Sequence, residues 1–185
     1  VILGTGVGGG IVIDGRLLRG ANAIAGEWGH NPLPWPVDDE RPGPPCYCGR
    51  RGCIETFLSG PGLARDHATS IGATSTGASM AGADIAAAAA AGDGSCRATM
   101  ARFETRLAKA LASVINVIDP EVIVLGGGVS NIERLYQNLP GLWGEYVFSD
   151  SVRTRLAAAR HGDSSGVRGA AWLWPNQQSG GAISS

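Results

Sequence analysis

One imidazole and three thiols, flanked by the carboxylates of Glu27 and Glu55, are gathered between positions 27 and 55 of this chain. The residues read Gly26-Glu27-Trp28-Gly29-His30, a proline-rich stretch, then Cys46-Tyr47-Cys48-Gly49-Arg50-Arg51-Gly52-Cys53-Ile54-Glu55. Thiolates and imidazole are ligands of tetrahedral zinc, and glycines at the turns let a short loop wrap an ion. His30, Cys46, Cys48 and Cys53 are therefore the expected metal ligands, in a loop spanning 30–53. Three cysteines and one histidine leave no open position for a metal-bound water, so the ion is structural and zinc hydrolysis is disfavoured. Glu27 and Glu55 lie beside these ligands in sequence, and a pinned loop would hold both as acceptors for the hydroxyls of a sugar. Paired carboxylates also serve glycoside hydrolysis, and sequence spacing does not give their separation. The second ring nitrogen of a metal-bound His30 is a further candidate contact. Asp38, Asp39 and Glu40 read as solvated loop charges.

Two glycine runs offer a different chemistry. Phosphate oxygens need backbone N–H groups at close range, and side chains block that approach. Gly4-Thr5-Gly6-Val7-Gly8-Gly9-Gly10 supplies such a backbone, with the Thr5 hydroxyl as an extra donor. An isolated run of this kind is also an ordinary glycine-rich turn. It is no Rossmann fingerprint, because a hairpin follows where a helix should open, and it lacks the Lys-Ser/Thr ending of a Walker loop. Gly126-Gly127-Gly128 after an apolar strand is the second such run. The two together favour a nucleotide and argue against glycoside hydrolysis. His67 and His161 carry no chemistry in this reading, and Asp163 or Ser164 reads as a helix cap.

Composition bounds the rest. The chain has 185 residues, 44% hydrophobic, with a net charge of −1. That is enough for one domain with a full core, or one lobe of a larger enzyme. No basic field points to nucleic acid or an anionic membrane. Lys109 is the single lysine among 15 basic residues, which fits codon bias and no function. Of the four cysteines, Cys96 stands apart as a free, partly buried thiol. C-x-C is too tight for an easy mutual disulfide, no signal peptide is visible, and Ala86 to Ala91 is too short to span a bilayer. A reducing cytoplasm with metal-bound thiolates is expected.

These groups need elements to position them. Val1-Ile2-Leu3 reads as the end of a strand whose beginning is missing, so the chain is expected to be the C-terminal portion of a longer protein. Asp14-Gly15 between short apolar runs predicts a hairpin. Residues 20–45 read as functional loop, and Ile54 to Leu58 as a short helix, with Pro61 opening another. Ser70 to Gly82 reads as a mobile connection, and Asp84 as the N-cap of an alanine-rich helix ending at Gly92. Phe103, Leu107, Leu111, Val114 and Ile118 make one apolar helical stripe ended by Asp119-Pro120. Glu121 to Leu125 reads as a strand buried on both faces, with a helix starting near Ile132. Helix, strand, glycine turn, helix is an α/β arrangement, which places ligands at the carboxyl ends of strands.

The motifs G-T-G-V-G-G-G, G-E-W-G-H-N-P-L-P, C-Y-C-G-x-x-G-C-I-E-T-F and V-I-V-L-G-G-G together resemble the ROK family of sugar kinases and repressors. Asn31-Pro32-Leu33-Pro34-Trp35, Pro45-Cys46-Tyr47-Cys48 and residues 160–174 are similar to its fructokinase branch. The resemblance covers nearly all of Val1 to Pro175, weakening across Ser70 to Gly94. It implies an actin-like, hexokinase-type ATPase fold of two α/β lobes (ribonuclease H-like). This chain would be mostly the C-terminal lobe, 1–164, with a final helix 165–175 docking on the other lobe and a disordered tail 176–185. Trp172 and Trp174 would then be exposed or mispacked without that lobe. It further implies phosphorylation of a hexose, fructose first, by ATP and Mg²⁺, with a structural Zn²⁺ and a possible homodimer. Gly4, Thr5, Gly6 and Gly8 match the family's phosphate turn, and Gly126, Gly127 and Gly128 its adenosine-side turn. Glu27, His30 and Glu55 match its sugar contacts, and His30, Cys46, Cys48 and Cys53 its zinc ligands. The catalytic aspartate and an Asp-x-Gly-x-Thr turn belong upstream of Val1, so these residues alone are expected to be inactive. A sugar-sensing repressor domain is the alternative that the same family offers.

Overall fold

The computed structural model describes residues 1–73 and 80–162. β1 (Ile2–Leu3) and β2 (Val7–Gly8) form an antiparallel pair around the first glycine turn. β3 (Val12–Ile13) and β4 (Arg16–Leu17) form the expected hairpin, in which Asp14 and Gly15 both take positive φ, 51° and 73°. Loop 30–53 follows, with two short 3₁₀ turns at Trp28–His30 and Asp38–Glu40 as its regular structure. Then come α1 (Ile54–Leu58), α2 (Gly60–Ser70), α3 (Gly82–Ala90) and α4 (Gly94–Ile118). β5 (Val122–Leu125), α5 (Arg134–Leu142) and β6 (Arg155–Ala158) complete the described elements.

Hydrogen bonds join β6, β5, β1 and β2, while β3 and β4 pair only with each other. β5 pairs with β6 in parallel register, Val122 to Arg155 through Leu125 to Ala158. On its other edge β5 meets the start of the chain: Gly126 N–H donates to Val1 O at 2.9 Å, and Leu3 N–H donates to Gly126 O at 2.8 Å. The helices pack on this layer. Leu3, Leu58, Leu63, Ile85, Met100, Phe103, Leu107, Leu111, Leu125, Leu135, Leu139 and Trp143 share one core. Burying such side chains contributes about 1.5–3 kcal/mol each before conformational entropy is counted, and α4 supplies more of them than any other described element.

Several expectations are corrected here. β5 is covered on one face: Ile123 and Leu125 are buried, while Val122 and Val124 stand 38% and 41% exposed. The stripe on α4 fails at its last member: Ile118, the final residue of the helix, is 38% exposed, while Ile115 is buried. α4 also starts earlier than its stripe, at Gly94, where the Asp93 carboxylate accepts from Cys96 N–H at 2.8 Å. Asp84 does not cap α3; it sits in the first turn, where a negative charge meets the positive end of the helix dipole. α5 opens at Arg134 after a 3₁₀ turn over Gly128–Asn131. Pro61 is the second residue of α2, whose cap is Ser59 accepting from Gly62 N–H. Residues 74–79 of the expected connection lie outside the described residues. So do the helix 165–175 with Trp172 and Trp174, the tail 176–185, and the cap residues Asp163 and Ser164.

Candidate active site: a thiol knot and a glycine turn

The backbone between Cys46 and Cys53 folds back on itself. Cys46 N–H donates to Arg50 O at 2.8 Å, Gly49 N–H to Cys46 O at 3.0 Å, and Pro45 bridges to Arg51. Pro32 bridges to Cys53, which brings the His30 end of the loop alongside. The ligand atoms of His30, Cys46, Cys48 and Cys53 consequently lie within 4.8 Å of one another, and all four cysteines of the chain are free thiols. Cys46 Sγ lies 3.6 Å from His30 Nδ1, and Cys48 Sγ lies 3.6 Å from Cys53 Sγ. A tetrahedron with metal–sulfur bonds of about 2.3 Å has edges of roughly 3.7 Å, so this donor set fits zinc. The Cys48 thiol is lowered to about 7, chiefly by the Arg50 backbone N–H, while burial and the neighbouring sulfurs push Cys53 up to about 12. One thiol therefore gives up its proton readily and the other holds it. A cation is what would let both ionise together.

Loop and strand meet through glycine. A Cβ at Gly29 would run into Val7 O, so only a bare backbone lets the loop lie flat on β2. Trp28 Nε1 donates to Gly8 O at 2.9 Å from the same stretch. Glu55, at the start of α1, accepts from Val7 N–H through Oε2 at 2.9 Å. A Cβ at Gly6 would stand 2.5 Å from that oxygen, so Gly6 is what admits the carboxylate. On the other flank of the same turn, Gly4 O accepts from Gly60 N–H at 2.8 Å.

His30 points its two nitrogens in different directions. Nδ1 faces the thiols, and Nε2 lies 2.8 Å from the Tyr47 hydroxyl. The Tyr47 pKa is raised by local loss of solvent and then by the negative charge of Glu55, Cys46, Glu27 and Cys48. Both candidate carboxylates therefore lie within electrostatic reach of one phenol. His30 meets that phenol directly, and the charges of Glu55 and Glu27 act on it from further off. Tyr47 is the member it overlooked.

The glycines assigned to a nucleotide divide. Gly4, Thr5 and Gly128 line one cavity of about 560 Å³, with Gly60, Pro61, Gly82 and Ile132 among its other walls. Gly6 faces Glu55 and Gly8 accepts from Trp28, so neither is among the walls of that cavity. Gly126 and Gly127 are packed against β1, where a Cβ at Gly127 would meet Leu3 O at 2.5 Å. Gly60 and Gly82 were missed by sequence reasoning; the Gly60-Pro61-Gly62 run at the head of α2 was the available signal.

The far end of the loop is held by charge. Glu40, expected in solvent, is buried: Oε1 accepts from Arg106 Nε at 2.6 Å and Oε2 from its own loop at Val37 N–H. Arg106 also donates to Asp66, which Arg102 grips from the other side. Burial alone would lower the Arg106 guanidinium, but Glu40 and Asp66 hold it above its ordinary value. Lys109 Nζ donates to Trp35 O at 2.7 Å, and Trp35 stacks on Tyr146. His67 is a satisfied core residue bonded to Thr99, and Cys96 beside it is fully rather than partly buried. Among the described residues, no helix is long and apolar enough to cross a membrane.

Comparison with known proteins places the chain among relatives. The sequence profile of the ROK family matches residues 1–177. An N-acetyl-D-glucosamine kinase of Yersinia pseudotuberculosis is 41% identical over 186 residues, covering 94% of this chain and 57% of that kinase. The chain thus spans somewhat more than half the length of the curated relatives it matches. The crystal structure of a ROK family glucokinase from Streptomyces griseus, in complex with glucose and AMPPNP, superimposes with a TM-score of 0.76 at 30% identity. That superposition covers 93% of this chain and 58% of the glucokinase. A ROK family transcriptional regulator, a homolog of the E. coli MLC protein, has a TM-score of 0.67 at 30% identity, covering 85% of this chain and 40% of the regulator.

Proposed function

The chain belongs to the ROK family and has its hexokinase-type, actin-like α/β fold, and from that premise we propose that the intact protein transfers a phosphoryl group from ATP to a hexose. One observation carries the reading. The Gly4-Thr5-Gly6 turn touches Glu55 on one side and lines the 560 Å³ cavity on the other, so one rigid turn serves both subsites. Phosphoryl transfer is mostly positioning and charge stabilisation, and it requires two reactants held in fixed relation.

In this reading Glu27, His30 and Glu55 grip sugar hydroxyls, and Glu55 Oε1 is free to accept because Oε2 is committed to Val7. Gly4, Thr5, Gly6 and Gly8 form the phosphate turn, and Gly126, Gly127 and Gly128 shape the adenosine side. Mg²⁺ accompanies the phosphates. Zinc on His30, Cys46, Cys48 and Cys53 supplies rigidity to the loop and takes no part in the reaction. The aspartate that accepts the proton of the attacking hydroxyl is assigned outside this chain. Metal-bound thiolates favour a reducing cytoplasm, and a homodimer is one assembly open to the intact protein.

The 41% identical relative, an N-acetyl-D-glucosamine kinase, favours the N-acetylated amino sugar, while fructose rests on the motif resemblance alone. A coupled ADP-release assay of the intact protein with fructose, N-acetyl-D-glucosamine, glucose and mannose decides between them. Glu55→Ala should lower kcat/KM for the preferred hexose by roughly 10- to 100-fold, the value of a hydrogen bond to a charged group. ADP release that ignores every hexose would overturn the kinase reading. The similarity to a transcriptional regulator supports a second reading, a sugar-sensing effector domain. Hexose binding without turnover, coupled to a change in DNA affinity, would select it.

A further inference from the structure

The thiol knot leaves one residue unexplained. Tyr47 lies between two metal ligands, yet its side chain is 83% exposed and packs on almost nothing. Its ring meets the edge of the His30 ring, with centroids 5.0 Å apart and planes at 87°, and its hydroxyl is bonded to His30 Nε2. An exposed aromatic residue held by one hydrogen bond is released at small cost.

The position of that hydroxyl is informative. With a zinc ion on Nδ1, Nε2 would carry the ring's remaining hydrogen and serve one acceptor well. In the hexose-site reading Nε2 is also the nitrogen left for a sugar hydroxyl, and the charges of Glu55 and Glu27 reach the Tyr47 hydroxyl bonded to it. Tyr47 and a sugar therefore compete for the same atom.

We propose that Tyr47 is a built-in occupant of the hexose site: its phenolic hydroxyl holds the place of a sugar hydroxyl on His30 Nε2, and hexose binding expels it. This rests on the hexose-site reading above. Tyr47 then sets affinity, because every hexose must first displace it, and a sugar with no hydroxyl for Nε2 cannot repay the displacement. Selectivity among hexoses arises at this atom.

The competing role is purely structural, with Tyr47 steadying a metal-bound imidazole through its outer nitrogen. Calorimetry on the intact, zinc-loaded protein and on Tyr47→Phe separates the two, with metal content measured on both. Phe removes the hydroxyl and keeps the ring. Displacement predicts that hexose affinity rises roughly two- to tenfold in the variant, the scale of one net hydrogen bond, at unchanged zinc content. A steadying role predicts weaker hexose binding or loss of zinc, and either result, or equal affinity, overturns the proposal. A fluorotyrosine label at position 47 gives an independent readout: its ¹⁹F resonance should move toward the solvent-exposed value on hexose addition, and a static resonance contradicts release. If neither protein binds any hexose, the site reading falls and this proposal falls with it; if wild type binds and the variant binds no tighter, this proposal alone fails.

Discussion

The folded loop from His30 to Cys53, whose two termini meet at the thiols, is held by different physics at that closed end and at the end formed by residues 35–40. At one end an imidazole and three thiols converge from within the loop itself. At the other, Glu40 reaches Arg106 and Trp35 reaches Lys109, partners 66 and 74 residues away on α4. The first end is a local closure that a metal ion would complete. The second is a buried ion-pair network that exists only once α4 has packed. A loop with few apolar residues cannot be held by a core of its own, so it borrows stability from an ion and from a neighbouring helix.

The comparison is broken most severely at the thiol end. Cys53→Ser should abolish stable zinc binding and, with it, hexose binding, because a structural metal's binding energy is the loop's folding energy. Metal analysis alongside calorimetry checks this, and a variant that keeps both zinc and sugar would show the knot to be incidental. Next in size is Arg106→Met, which strands Glu40 in a buried position. It should cost about 3–5 kcal/mol in urea unfolding while zinc content stays intact. A cost below about 1 kcal/mol would mean the network is no more than surface pairing. Lys109→Met removes one charged hydrogen bond to Trp35 O and should cost about 1.5–3 kcal/mol by the same measurement. The mildest is Asp93→Ala, a control on α4 away from the loop, expected to lower Tm by a few degrees without altering metal or sugar binding. The Asp93 carboxylate is held down to about 2, chiefly by the Cys96 backbone N–H and then by Ser95, from an ordinary value of 3.8. A depressed pKa means the cap's contribution is full above about pH 4 and fades as pH falls through about 2, so the two proteins should converge there. A difference that persists at pH 2 would place its origin elsewhere.

The two ends also differ in how readable they were. Cys46, Cys48 and Cys53 announce themselves by type and spacing, because a metal site closes over short distances along the chain. Glu40 looked like one of three loop carboxylates, since nothing near it in sequence names a partner in α4. The same contrast runs through the fold. The Asp14-Gly15 hairpin and the end of α4 at Asp119-Pro120 follow from local backbone chemistry and are seen as expected. The burial of β5 on one face only depends on what packs against it and was misread. Within the site, Glu27, His30 and Glu55 were legible as candidates. Tyr47 was not, because a tyrosine between two cysteines gives no hint that its hydroxyl meets a ring nitrogen.

The central claim is that a metal-closed knot fixes the hexose-gripping groups against the glycine turn. It is tested most directly by measuring zinc and hexose affinity on the same preparation of intact, reduced protein, before chelation, after it, and after zinc is restored. The account predicts one zinc per chain, with hexose binding lost on removal and recovered on return. Protein that binds hexose equally well without zinc would contradict it.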